Sequence, residues 1–222
     1  WTLFDIDPAI STSLLVYHRA RRLSQGSVPE PPISLVFNQF EVPTWYVPLP
    51  AHLLDAVVEE VRRAAAVWLG MSPEDLLLTG AYGSREYGHG AVVRWHVDPV
   101  HSQPITAIVH LAEEYSSGVS GSCNDQFGRQ ECDAKCGEQA DTWAIQIPKS
   151  IDTYRNYTDY PNAECSDELH HIHLRVGQVL LLQSAKLPHA RVAPFPGEWY
   201  ANAFVHFAPV GWEEREEVQL LS

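Results

Sequence analysis

The feature that most constrains this chain is a succession of short apolar runs through its last two thirds, separated by glycine and proline. They cover residues 76–82, 91–97, 105–111, 143–147, 171–174, 179–183, 189–192 and 199–207, and no helical period intervenes. Parallel strands need long crossover connections, normally helices. Eight short strands without them therefore predict a sandwich or jelly roll.

The region before residue 76 has another character. Leu53, Leu54, Val57, Val58, Val61, Ala65 and Trp68 recur at helical spacing, with Glu59, Glu60, Arg62 and Arg63 opposite. An amphipathic helix over residues 50–69, ended by Gly70, follows from that pattern. A second helix is expected over residues 9–23, then a proline-rich passage, Pro29-Glu30-Pro31-Pro32, and an extended run with Val36 and Phe37. At 222 residues one domain over 1–222 is the default. Residues 1–75 form its helical and extended cover, and 76–209 its β core. Two polar stretches, about 113–141 and 149–168, read as insertions; loops of that length are usually either functional or disordered, and these two are expected to shape substrate entry.

Hydrophobic residues at 45% and charged ones at 19% exclude general disorder. The net charge of -13, from 28 acidic against 15 basic residues, disfavours a surface that tracks nucleic-acid phosphates. No apolar run is long enough to span a bilayer, and Trp1 in place of Met points to a removed leading segment, such as a signal peptide or a membrane anchor. Cys123, Cys132, Cys136 and Cys165 fall in one stretch that also holds the glycosylation sequon Asn156-Tyr157-Thr158. Together these favour disulfides, a glycoprotein and an endoplasmic reticulum, secretory or extracellular setting over a structural zinc site on Cys132 and Cys136.

The chemistry-bearing motif is His96-Val97-Asp98 at the end of a strand pattern. Side chains two apart on a strand share a face, so an imidazole and a carboxylate can reach one point. His189 is the candidate third ligand, since it opens a strand just after the turn signal at Pro188. Two histidines and a carboxylate on one face of an ion leave three coordination places, which suits iron(II) with a bidentate cosubstrate and oxygen. An isolated His-x-Asp arises often by chance, so context must carry the assignment.

That context is a resemblance. The run Tyr82-Gly-Ser-Arg-Glu-Tyr87-Gly-His-Gly90-Ala-Val-Val-Arg-Trp-His96-Val-Asp98 resembles the iron(II)/2-oxoglutarate-dependent dioxygenases of the prolyl 4-hydroxylase type. So does the later run of Gly177-Gln-Val-Leu-Leu-Leu-Gln-Ser184, His189, Pro194, Gly197 and Trp199-Tyr-Ala-Asn-Ala-Phe-Val-His206. The similarity implies a double-stranded β-helix, a cupin-like jelly roll, with N-terminal helices packed on one sheet. It further implies His96, Asp98 and His189 as catalytic iron ligands, 2-oxoglutarate as cosubstrate and ascorbate as a candidate reductant. Tyr87 and His110 correspond to cosubstrate contacts. One departure stands out: where the family supplies a cation nine or ten residues after its last histidine, this chain has Glu198 and Trp199. A dianion in a partly dry barrel needs a cationic partner. Arg191, two residues after His189, should point to the same interior, and Arg94 is the reserve.

The reading expected from this is a hydroxylase acting on a prolyl or other residue of a secreted peptide or protein, with a small-molecule oxygenase as the alternative. A non-catalytic cupin-like metal-binding module, a zinc hydrolase and a lectin-like sandwich remain as competitors. A serine hydrolase has no starting point, because no Gly-x-Ser-x-Gly elbow occurs.

Overall fold

The computed structural model describes residues 1–25, 28–29, 42, 44–115, 143–150 and 166–212. All four cysteines, the sequon, residues 30–37 and most of both polar insertions lie outside the described residues. In chain order the elements are β1 (Thr2–Asp5), α1 (Pro8–Gln25), β2 (Val28–Pro29), β3 (Thr44–Val47), α2 (Ala51–Leu69), a 3-10 turn (Pro73–Asp75), β4 (Leu76–Gly88), β5 (Val93–His96), β6 (Ile105–Glu114), β7 (Ile145–Pro148), β8 (Leu169–Ile172), β9 (Gln178–Leu182), β10 (His189–Arg191) and β11 (Trp199–Pro209).

The strands form a seven-stranded sheet, ordered β1-β9-β6-β11-β4-β3-β2, facing a four-stranded one, ordered β5-β10-β7-β8. Their pairings are antiparallel, as a jelly roll requires. β11 shows how sequence alternation sorts the two faces of the large sheet. Trp199, Ala201, Ala203, Val205 and Phe207 join a core with Leu14 of α1 and Val57, Val61 and Ala65 of α2. Each fully buried Leu or Val there contributes about 1.5–3 kcal/mol. The alternate residues Tyr200, Asn202 and His206 face the barrel interior, which Ile108, Ile145, Ile147, Leu180 and Leu182 fill at its centre.

Local chemistry sets the helix ends. Asp7 caps α1, its carboxylate accepting from the Ala9 N–H at 2.7 Å, with Pro8 at the first helical position. Gly70, in the left-handed conformation at φ 68°, closes α2 as its position predicts. α1 is further tied to β4 by a polar clamp. His18 Nδ1 meets Ser84 Oγ at 2.8 Å, and Glu86 accepts from Arg22 Nε through both oxygens at 3.1 Å.

Three expectations need correction. The strand expected over residues 76–82 runs on to Gly88, past Gly83. Gly83 is needed there because a β-carbon would stand 2.2 Å from the Val47 carbonyl oxygen of β3. Glu113 and Glu114 belong to β6, opposite Tyr200 and Trp199, rather than to an insertion. The residues before 76 do more than cover the core: β1, β2 and β3 are strands of the large sheet.

Candidate metal centre

β5 and β10 are paired with His96 directly opposite His189, and the chain leaving β5 turns so that Asp98 meets both. Asp98 Oδ1 lies 3.7 Å from His96 Nε2 and 4.0 Å from His189 Nε2, and the three candidate ligand atoms all fall within 4.8 Å of one another. Neighbouring donors on one ion, each about 2.0–2.2 Å from it, sit roughly 3 Å apart. The triad is therefore only slightly open.

Both imidazoles are oriented by the same device. His96 Nδ1 lies 2.7 Å from the Arg94 carbonyl and His189 Nδ1 3.0 Å from the Leu187 carbonyl. A carbonyl can only accept, so each Nδ1 carries a proton and Nε2 is the ring atom left facing Asp98. This is the orientation a metal needs. Burial, with the neighbouring His189 adding to it, pulls His96 down to about 4, so the ring is neutral at physiological pH. For Asp98, burial pushes the carboxyl up, but His189, the Thr106 hydroxyl and His96 together outweigh it and hold the group below its usual range.

A second layer lies behind Asp98. Its backbone N–H donates to the Ser184 carbonyl at 2.9 Å, and its Oδ2 accepts from Thr106 Oγ1 at 2.7 Å. Thr106 also meets Ser184 Oγ at 2.7 Å and His206 Nδ1 at 2.8 Å. Burial draws His206 down to about 4, against the opposing pull of Asp98.

Further along the interior is a cation with no anion beside it among the described residues. Arg191 is 4% exposed and lies between two rings, 4.6 Å from Trp143 and 4.5 Å from Tyr200. Its guanidinium donates to the Trp143 carbonyl and, at 3.2 Å, to the Tyr200 hydroxyl. Asn202 satisfies all its neighbours in one orientation, its nitrogen donating to His110 Nδ1 at 3.3 Å and its oxygen accepting from Arg191 at 3.3 Å. Among the described residues no carboxylate stands within ion-pair distance of Arg191. With Nδ1 accepting from Asn202, His110 carries its proton on Nε2. That buried N–H has no hydrogen-bond partner, and the Glu113 carboxylate is 3.8 Å away. Tyr200, pushed upward by complete burial, stays a neutral phenol.

Each residue singled out in the sequence can now be placed. His96, Asp98 and His189 converge. Tyr87, His110 and Arg191 gather around Tyr200: Tyr87 is its cross-strand partner, His110 stacks on it at 4.3 Å, and Arg191 bonds its hydroxyl. Trp95 packs away from the triad with Leu169 and Ala190, and the reserve cation Arg94 is exposed. Tyr200, Trp143, Thr106 and His206 were not foreseen as site residues. Alternation along the run 199–206 carried a signal for Tyr200 and His206; nothing local announces Trp143, whose contact with Arg191 crosses between strands.

No protein-family model matches the chain, and no curated protein does. Solved structures do match. A Pseudomonas putida prolyl-4-hydroxylase is similar at 15% identity, over 94% of this chain and 92% of that one, with a TM-score of 0.53. A Trichoplax adhaerens prolyl hydroxylase, solved with a peptide fragment of the hypoxia inducible factor oxygen degradation domain, is similar at 12% identity over 93% and 82%, with a TM-score of 0.52. HygX from Streptomyces hygroscopicus, solved with nickel, 2-oxoglutarate and hygromycin B, is similar at 13% identity over 93% and 82%, with a TM-score of 0.53. The fold of this chain is that of the prolyl 4-hydroxylases and related 2-oxoglutarate-binding proteins.

Proposed function

We propose that the chain is an iron(II)- and 2-oxoglutarate-dependent hydroxylase acting on a prolyl or other residue of a peptide or protein. The observation that carries this reading is Arg191, a buried cation whose desolvation goes uncompensated by any described carboxylate, two residues from a metal-ligating candidate. At about 3.3 Å per residue, His189 and Arg191 stand roughly 7 Å apart along one strand. That spacing suits a short dicarboxylate with one end on an ion and the other on the guanidinium.

The residues present fit both absent groups. His96, Asp98 and His189 would hold iron(II) through two Nε2 atoms and Oδ1, the donor set and open faces expected of an oxygenase centre. Arg191, the Tyr200 hydroxyl and the unpartnered His110 N–H would receive the far carboxylate, with Tyr87 beside them. When bound, iron(II) and 2-oxoglutarate would supply, with dioxygen as oxidant, an oxidation in which one oxygen atom goes to succinate, released with carbon dioxide, and the other to a substrate carbon as hydroxyl. The protein's share is to orient both imidazoles with Nε2 toward the ion, to keep Asp98 ionised, and to pack Trp143, Phe195 and Tyr200 together beside Arg191, where they exclude water.

The prolyl hydroxylases of this fold favour a peptide substrate, whereas HygX with hygromycin B favours a small molecule. A succinate-release assay with iron(II), ascorbate and 2-oxoglutarate, against proline-containing peptides and small metabolites, separates the two. Stimulation by peptides is expected; stimulation by metabolites alone selects the second reading, and no turnover with any substrate favours a binding module. Purified metal content dominated by zinc would point to a hydrolase. The clustered cysteines and the sequon support a secretory setting. Mass spectrometry before and after reduction should show four hydrogens gained; unchanged mass would remove that support.

A further inference from the structure

Asp98 presents only one oxygen to the triad, and the reason lies in how a few hydrogens are distributed behind it. Oδ1 faces His96 and His189, while Oδ2 is taken by Thr106 Oγ1 at 2.7 Å. Thr106 makes two more contacts, with Ser184 Oγ at 2.7 Å and His206 Nδ1 at 2.8 Å, and Ser184 Oγ also donates to the Gln103 carbonyl at 2.7 Å. An ionised carboxylate and a carbonyl can only accept. Only three hydrogens serve these four contacts: the Thr106 O–H, the Ser184 O–H, which the Gln103 carbonyl and Thr106 Oγ1 must share, and one on His206 Nδ1. Thr106 has a single hydrogen, so it can serve Asp98 only if His206 donates to Thr106. With the His206 hydrogen on Nε2 instead, Nδ1 would compete with Asp98 for the Thr106 hydrogen.

We propose that Thr106 and His206 are positioning residues for the metal centre: His206 as an Nδ1–H donor aims the Thr106 hydroxyl at Asp98 Oδ2, holding the carboxylate monodentate with Oδ1 toward the ion. This rests on the reading of His96, Asp98 and His189 as ligands. The links join β6 and β11, Thr106 and His206 being opposite each other in register. The orientation of Asp98 is thus set from the large sheet, across the barrel from the two imidazoles on the small one. Thr106 is 2% exposed and His206 4%, so little bulk water is at hand to replace a lost partner.

The test is titration with manganese(II), followed by electron paramagnetic resonance, and with cobalt(II), followed by its visible absorption bands. Thermal melting of the metal-free proteins runs alongside. Thr106→Val keeps the volume and removes the hydroxyl; it should weaken manganese binding about 10–100-fold and alter the cobalt bands. Thr106→Ser should stay within about threefold of the parent. His206→Phe should lose about tenfold, and His206→Asn, whose amide nitrogen can donate from nearly the place of Nδ1, should recover most of that loss. Parent-like manganese affinity and cobalt bands in Thr106→Val would overturn the proposal, as would equal losses in His206→Asn and His206→Phe. A parent protein that binds neither ion would instead overturn the metal-centre reading beneath it.

Discussion

His189 and Arg191, two residues apart on β10, project to the same interior face, the first into the ligand triad and the second between Trp143 and Tyr200. Ala190 between them turns outward to Trp95 and Leu169. One short strand therefore carries both a candidate metal-binding imidazole and the cation proposed to answer a carboxylate.

Replacing His96 or Asp98 with Ala should lower iron(II) affinity by more than about 100-fold while circular dichroism stays native, because both side chains are partly exposed and belong to no core cluster. Calorimetric titration reads the affinity directly. Parent-like binding in either variant would reject the triad.

Arg191→Gln removes the charge but keeps an amide near Tyr200 and Asn202. The Michaelis constant for 2-oxoglutarate should rise about 10–100-fold, as expected when one charge-assisted contact is lost. Iron affinity should move by less than about threefold. A larger effect on iron than on cosubstrate would remove Arg191 from the anion-binding role.

The metal-free protein should lose stability on mild acidification. In the unfolded chain His96 and His206 protonate near 6.5, but in the folded chain only near 4. Between those values the unfolded state binds more protons, so stability falls as pH falls from 6.5 toward 4. The combined loss is on the order of a few kcal/mol. Glu86, held below its ordinary 4.5 against the opposing effect of burial by His18 and Arg22, acts in the same direction only at lower pH. Urea melts of the apoprotein at pH 7.5, 6 and 5 should show falling midpoints, and bound metal should flatten the trend. Constant apoprotein midpoints would contradict it.

Glu86→Ala should destabilise the fold by about 1–3 kcal/mol, since His18 is left buried without its acceptor and Arg22 without its carboxylate. Glu86→Gln should cost less. Denaturant unfolding distinguishes the two variants, and equal losses would mean that packing, not the clamp, is responsible.

How much of this was legible depends on whether the signal is local. His96 and Asp98 share a strand face through simple alternation, and the turn at Pro188 marked His189. Arg191 followed from the same two-residue step. Tyr200 and Trp143 were missed because their meaning comes from pairing across strands: Tyr200 gains its role only opposite Tyr87 and beneath His110. Likewise β4 hid its length behind glycines, whose purpose at residue 83 is the close approach of a strand from before α2. β1 is four residues long with weak alternation, and only its partner β9 makes it a strand.

That first strand has a further consequence. β1 is the outermost member of the large sheet, and its pairing from Thr2↔Leu181 to Asp5↔Gln178 occupies the free rim of β9. The rim behind it is apolar, with Val179, Leu180, Leu181 and Leu182 in sequence. A chain trimmed of its opening residues would offer that row of backbone donors and acceptors to any neighbouring molecule, the usual start of sheet-to-sheet polymerisation. β1 thus places a short, four-residue edge outside that apolar rim, and short edge strands template poorly.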